Sequence, residues 1–427
     1  MFIIEGNRRS DVIIEPAHLH GSIPAIPSKS YAQRLLIAAT LAKSPTKIKI
    51  AVHALADDLY ATIRTLWAMG AAIDMDPEAG HITVTPDGAD HKSGKVNAGE
   101  SGTVARLILP VLTALFDSGT LGGEGSLLKR PFATLCKTLQ QGSPNLEFDQ
   151  HQLPISWTGQ LQPGSYHLPG DESSQYLSGL LFALPLLDGD STIVLTTPLE
   201  SAGYVDMTLD VLQQFGIHIE YDASTNTYTV PGKQTYQSPG TITAEGDWSN
   251  AAFWLAANVE VTGLDPQSLQ RDRSFLTVKD SNHINATDVP DLVPILSVNA
   301  ALQDRTTTIT GIKRLRIKES DRIETTIDLL TRLGCNIELT AEDELTIRGT
   351  GAVPGGAEVS GANDHRIVMA AAIAGSFAQS PVTIIDAQAV AKTYPHFFED
   401  FTQLGGQVKI KRGGLAGRLM GRGTSLT

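Results

Sequence analysis

"LTRLGCNIE" (330–338) reads as the end of an amphipathic helix, a glycine that stops it, and the start of an alternating strand. The phrase returns as "LWAMGAAID" (66–74) and "LQQFGIHIE" (212–220), and in weaker form as "LQQGSPNLEF" (139–148) and "FTQLGGQVKI" (401–410). A glycine just past a helix suits the left-handed turn that side chains resist. Gly70, Gly142, Gly216, Gly334 and Gly405 are each expected to adopt it. They fall 72, 74, 118 and 71 residues apart. Three intervals define a unit of about 72 residues, and the long one is about 26 short of two units. The chain thus reads as six units with one clipped. The clipped unit should occupy "LDPQSLQRDRSFLTVKDSNHIN" (264–285), which lacks the phrase.

A second kind of helix recurs in phase with the first. It appears in "SKSYAQRLLIAAT" (28–40), "ESGTVARLILPVLTAL" (100–115), "ESSQYLSGLLFALPLL" (172–187), "DWSNAAFWLAANV" (247–259), "VPDLVPILSVNAAL" (289–302) and "NDHRIVMAAAIAGS" (363–376). Each is apolar nearly all round and should be buried, with a polar N-terminus. Alternating strands such as "HITVTP" (81–86), "TIVLTTP" (192–198) and "ELTIRG" (344–349) run between them. Each unit reads strand, buried helix, strand, exposed helix, strand, strand. Six such α/β units suggest two three-unit domains with buried helices at the centre and polar helix ends facing one cleft. Turn-rich stretches at 20–24 and 236–247 bracket the middle units. The expected division is residues 1–22 plus 238–427 against 23–237, so that the chain crosses twice.

The chain has 427 residues, with 41% hydrophobic and 19% charged side chains. A formal charge of −13 argues against general affinity for nucleic acid or anionic membrane, so any cationic site is local. The opening apolar run is broken at Glu5 and no later run reaches the length of a membrane span; a cytoplasmic protein is expected. Cys136 and Cys335 stand far apart without a CxxC or Cys/His neighbourhood, which indicates neither a disulfide framework nor zinc. No P-loop, Rossmann GxGxxG or HExxH is present, so no cofactor or metal is called for.

The chemistry gathers at helix starts. "PSKSYAQR" (27–34) places Lys29 at a helix N-terminus, against the dipole. Either the lysine extends into water or the helix end holds an anion. "GESGTVAR" contributes Gly102, Thr103 and Arg106, "GSLLKRP" Arg130, "DESSQ" Ser173, Ser174 and Gln175, and "ESAGY" Ser201 and Tyr204. "DVPD" adds Asp291, "NDHR" Arg366 and "AKTYP" Lys392. A serine pair at a helix start offers hydroxyls and N–H groups to a phosphate, or simply a cap. "RIKESDR" (316–322) packs three cations among Glu319 and Asp321. It reads equally as an exposed salt-bridge network or as arginine forks for a carboxylate or phosphate, with Glu319 moving a proton.

In combination and order, "SKSYAQR", "SGTVAR", "KRP", "SSQ", "SAGY", "EGDWS", "PDLVP", "RIKESDR", "NDHR" and "AKTYP" resemble the 5-enolpyruvylshikimate-3-phosphate synthase family, through about residue 410. The resemblance implies an inside-out α/β barrel of two domains, each of three βαβαββ units. It implies joining shikimate 3-phosphate to phosphoenolpyruvate without a cofactor, in a monomer that binds neither nucleic acid nor membrane. Carried over, Ser173, Ser174, Ser201 and Lys318 hold the shikimate phosphate, with Ser30, Arg34, Gln175 and Tyr204 completing that pocket. Lys29 lies between the substrates. Arg130, Arg322, Arg366 and Lys392 grip phosphoenolpyruvate, beside the Gly102 backbone and Gln175. Asp291 is the base for the 5-hydroxyl and Glu319 the acid toward the methylene.

The chain departs from the family pattern at Arg314, where some members have Asn, and at "GESGT", where Glu100 replaces the Asn of the common "GNAGT". The ending "KRGGLAGRLMGRGTSLT" (411–427) has no counterpart and is expected to be either a disordered basic extension or a remnant foreign to the native chain. The sister transferase acting on UDP-N-acetylglucosamine is the alternative enzyme, but its Lys-Asn pair and loop cysteine are not found here. A non-catalytic anion-binding scaffold would keep the cations and need neither carboxylate.

Overall fold

The computed structural model describes residues 10–52, 55–87, 93–142, 146–150 and 152–411. The extension from 412 onward lies outside the described residues. Six apolar helices are buried along nearly their whole length: α1 (Lys29–Leu41), α3 (Gly102–Leu115), α5 (Ser174–Ala183), α7 (Trp248–Ala256), α8 (Val293–Ala301) and α10 (His365–Phe377). Between them lie amphipathic outer helices α2 (Asp57–Ala68), α4 (Ala133–Gln141), α6 (Ala202–Gln214), α9 (Arg322–Arg332) and α11 (Phe397–Gln403). Their glycine stops at 70, 216, 334 and 405 have positive φ. Gly142 differs, with φ −90°. A Cβ there would lie 2.6 Å from the Tyr166 hydroxyl, so close packing, rather than a left-handed turn, calls for the glycine.

Among the described residues, five four-stranded sheets share one order. In one, Lys95–Asn97 runs parallel to Ser118–Gly122, which pairs antiparallel with Ile155–Thr158, itself flanked by Glu147–Phe148. The inner helix connects the parallel pair, since parallel strands need a crossover connection. In the last unit the chain's own beginning closes the sheet: Asp11–Glu15 lies between Val382–Ile385 and Gln407–Lys411.

The sixth position carries an exchange. Ser22–Pro24, which leads into α1, pairs with Glu260–Thr262, whereas Thr241–Thr243, which leads into α7, pairs with Thr46–Lys49. The hydrophobic cores follow suit. One runs from Tyr31 to Ile242, and the other combines Val12–Ile23 with Ala252–Leu404. The two lobes are joined through residues 25–28 and 244–247, a few residues beyond the turns at 22 and 237. The turn residues mark where a strand starts, not which lobe's sheet it enters. The two crossings hydrogen-bond to each other, Ser28 N to Glu245 O and Asp247 N to Ile26 O, both at 2.8 Å. After Glu260–Thr262 the clipped unit has only the 3₁₀ turn Arg271–Ser274 and the four-residue helix Phe275–Val278.

Candidate active site

The inner helices point their N-termini at the space between the lobes. Helices α1, α3 and α5 carry no acid in their first turns, so their N–H groups and dipoles favour an anion. One cavity of about 80 Å³ is lined by Lys29, Ser30, Arg34, Arg130, Ser173, Ser174, Gln175, Ser201, Tyr204, Asp291, Lys318, Glu319, Arg322 and Arg366. It is small because its acids and cations are paired across it.

Arg322, 1% exposed, holds three carboxylates: Asp364 through Nε at 2.8 Å, Asp291 through Nη1 at 2.6 Å and Glu319 through Nη2 at 2.6 Å. Arg130 Nη2 lies 2.9 Å from Glu319, Arg366 Nη2 3.2 Å and Lys318 Nζ 3.5 Å from Asp291. Tyr204 donates its hydroxyl to Asp291 at 3.1 Å. Burial works to raise the pKa of Asp291, but Arg366, Lys318 and Arg322 outweigh it and hold the carboxyl well below the usual range. Glu319 is likewise depressed, burial being overcome by Arg130 and Arg322. Both are carboxylates at neutral pH, and both are bound to groups suited to a substrate anion.

"RIKESDR" is thereby divided. Asp321 caps α9 by accepting from Ile323 N and Glu324 N, and pairs with half-exposed Arg316. Lys318, Glu319 and Arg322 turn inward. The serine pair also has both characters. Ser173 caps α5 by accepting from Gln175 N at 3.3 Å, while both serines line the cavity.

Arg34 is fully buried and donates to Thr208 Oγ1, Ser30 O and Tyr204 O, so it fixes the backbone of two cavity residues. Gln175 accepts from Arg106 Nη1 and donates to Thr103 Oγ1, each at 3.0 Å. Lys29 is paired with Asp58 at 2.8 Å. Ser201 has φ +55°, an uncommon conformation for a residue with a Cβ, and its hydroxyl accepts from Arg314 Nη2 at 2.9 Å.

Gly102 and Lys392 do not line this cavity. Gly102 stands behind Arg130, where a Cβ would lie 2.2 Å from Nη1. Lys392 lies on the far side of the Gly99–Gly102 turn, 2.8 Å from Glu100. Sequence reading gave no substrate role to Arg106, Arg314, Asp364 or His365. Arg106 is buried against the rings of Phe132 and Tyr176, and Nε and Nη2 have no hydrogen-bond partner among the described residues. The ring nitrogens of His365 likewise have no hydrogen-bond partner among the described residues, Nδ1 lying 3.9 Å from Asp364, and burial lowers its pKa and holds it neutral. The helix-start position of both was the available signal. Cys136 is buried in α4, and burial pushes its thiol up to about 12. A reactive loop thiol is not formed there.

Fold and cleft define a two-lobed α/β enzyme whose cleft sets paired carboxylates among cations suited to small anions. The sequence profile of the family described as EPSP synthase (3-phosphoshikimate 1-carboxyvinyltransferase) matches residues 13–282 and 258–401. A 3-phosphoshikimate 1-carboxyvinyltransferase of Clostridium acetobutylicum is 38% identical, covering 93% of this chain and 98% of its own. That of Clostridioides difficile is 34% identical, covering 92% and 97%. The solved EPSP synthase of Acinetobacter baumannii superposes with a TM-score of 0.77 at 24% identity, over 94% of this chain and all of that one, a likeness of fold. The chain belongs to the EPSP synthase family.

Proposed function

We propose that the protein transfers the enolpyruvyl group of phosphoenolpyruvate to the 5-hydroxyl of shikimate 3-phosphate, releasing phosphate. The observation that carries this reading is the pair Asp291 and Glu319, two partly buried carboxylates in one network with Arg130, Arg322, Arg366 and Lys318. Asp291, ionised and 16% exposed, is the base that takes the hydroxyl proton. The hydroxyl oxygen then bonds to the enol carbon as Glu319 gives a proton to the methylene carbon. The tetrahedral intermediate expels phosphate as its methyl group returns a proton to carboxylate.

Glu319 needs a proton that its two arginines now discourage. Phosphoenolpyruvate supplies the remedy. Its phosphate and carboxylate take over Arg130 and Arg322, and Glu319, left buried with less opposing charge, rises in pKa. Ser173, Ser174, Ser201 and Lys318 hold the shikimate phosphate, and Lys29 reaches both substrates. Members of this family take up two anions, which accounts for local cations in a chain of net charge −13.

We extend the proposal to a cytoplasmic monomer acting without a cofactor. No helix among the described residues is long and apolar enough to cross a membrane. Phosphate release is the direct test. It should require both substrates together, and its absence at saturating levels of both would overturn the reading.

A further inference from the structure

The cleft is cationic at its centre, but one edge is not. Behind Gly102 lies a second cavity whose lining includes Asp57, Asp58, Glu100 and Glu124 against two cations, Arg64 and Lys392. Lys392, 13% exposed in its side chain, is held by Glu100 Oε2 at 2.8 Å and by Asn363 O at 2.9 Å. Glu100 also accepts from Asn363 Nδ2 at 3.3 Å and Ser126 Oγ at 3.4 Å. Lys392 and Asn363 belong to one lobe and Glu100 to the other, so these bonds latch the lobes together beside the phosphoenolpyruvate subsite. Gly102, two residues on from Glu100, abuts Arg130.

We infer that Glu100 is a specificity-determining residue: a built-in anion that occupies Lys392 and that phosphoenolpyruvate must displace. This rests on the reading of Lys392 as a ligand of that substrate. A neutral amide at position 100 would still bond Lys392, but would neither match its charge nor repel an incoming anion. The carboxylate does both, and so raises the concentration of phosphoenolpyruvate needed to close the site. Any smaller anion competing for Lys392 meets the same barrier. Burial works to raise the pKa of Glu100, yet the hydrogen bond and charge of Lys392 leave it lowered, so the competitor is charged at neutral pH.

The test is steady-state phosphate release by the wild type, Glu100→Gln, Lys392→Met and the double variant. Glu100→Gln should lower the KM for phosphoenolpyruvate about fivefold while the KM for shikimate 3-phosphate moves less than about twofold. The gain should vanish in the Lys392→Met background, because the effect passes through that ammonium. If Glu100→Gln leaves the KM for phosphoenolpyruvate unchanged or raises it, Glu100 is a support for Lys392 and the inference is overturned. Glu100→Asn replaces the glutamine variant if that one does not fold. A wild type that releases no phosphate would instead fail the parent reading.

Discussion

The lobe whose core runs from Tyr31 to Ile242 meets the cleft with Lys29, Arg106, Arg130 and the hydroxyls of Ser173, Ser174, Ser201 and Tyr204. The other lobe meets it with Asp291 and Glu319, and with Lys318, Arg322 and Arg366 to neutralise them. On the proposed function, the first surface captures the substrate anions through helix N-termini without acids and through hydroxyls. The second, on the same reading, transfers protons, with carboxylates whose charge is set by buried arginines. Around the cavity they meet through Arg130 with Glu319, Tyr204 with Asp291, and Arg314 with Ser201, and at its edge through Glu100 with Lys392 and Asn363. Neither lobe holds a complete site, so the chemistry depends on their closing over both substrates.

The largest effect should follow from removing the centre of the second surface. Arg322→Met leaves Asp291, Glu319 and Asp364 facing one another with their shared cation gone, and should cost about 3–5 kcal/mol of stability along with turnover. Urea unfolding checks it, and a loss below about 1 kcal/mol would show that the network is not needed for folding. Disturbing the first surface should act on binding alone. Gly102→Ala pushes a methyl against Arg130 Nη1, and a misplaced anchor of this kind should raise the KM for phosphoenolpyruvate about 10- to 100-fold. The unfolding temperature should stay near that of the wild type.

A smaller effect distinguishes the carboxyls within the second lobe by pH. Asp272, in the clipped unit, is raised from 3.8 to about 7, first by burial and then by Asp291. A carboxyl with a raised folded pKa stabilises fully below its unfolded value and loses that contribution as pH rises toward 7. Asp272→Asn should therefore stabilise increasingly between pH 4 and 7, by about 2–4 °C at pH 8. Asp291 and Glu319 act with the opposite sign: their contribution is present above about pH 4 and fades below it. Thermal melts across pH distinguish the two, and a uniform gain at all pH values would remove the buried charge from the explanation.

Much of this was legible in the chain because it is local. Helix, glycine and strand lie within ten residues of each other, so five glycines disclosed six units and the clipped one. The inner helices announced themselves by being apolar all round. The exchange of Ser22–Pro24 with Thr241–Thr243 was not legible, since three-residue strands carry no pattern that names a partner. Nor could spacing tell which side of "RIKESDR" faces inward, because a short 3₁₀ turn decides it. Arg106, one of several polar residues at a helix start, and His365, between Asp364 and Arg366 in "NDHR", carried no further pattern that marked them out. Only the convergence of those helices gives them a place in the cleft.

The sharpest test is Asp291→Asn, read by titration calorimetry with shikimate 3-phosphate and by phosphate release with both substrates. If capture and proton transfer are divided between the lobes, binding stays within about threefold of wild type while turnover falls by about 10²–10⁴. Weakened binding with turnover preserved would contradict that division.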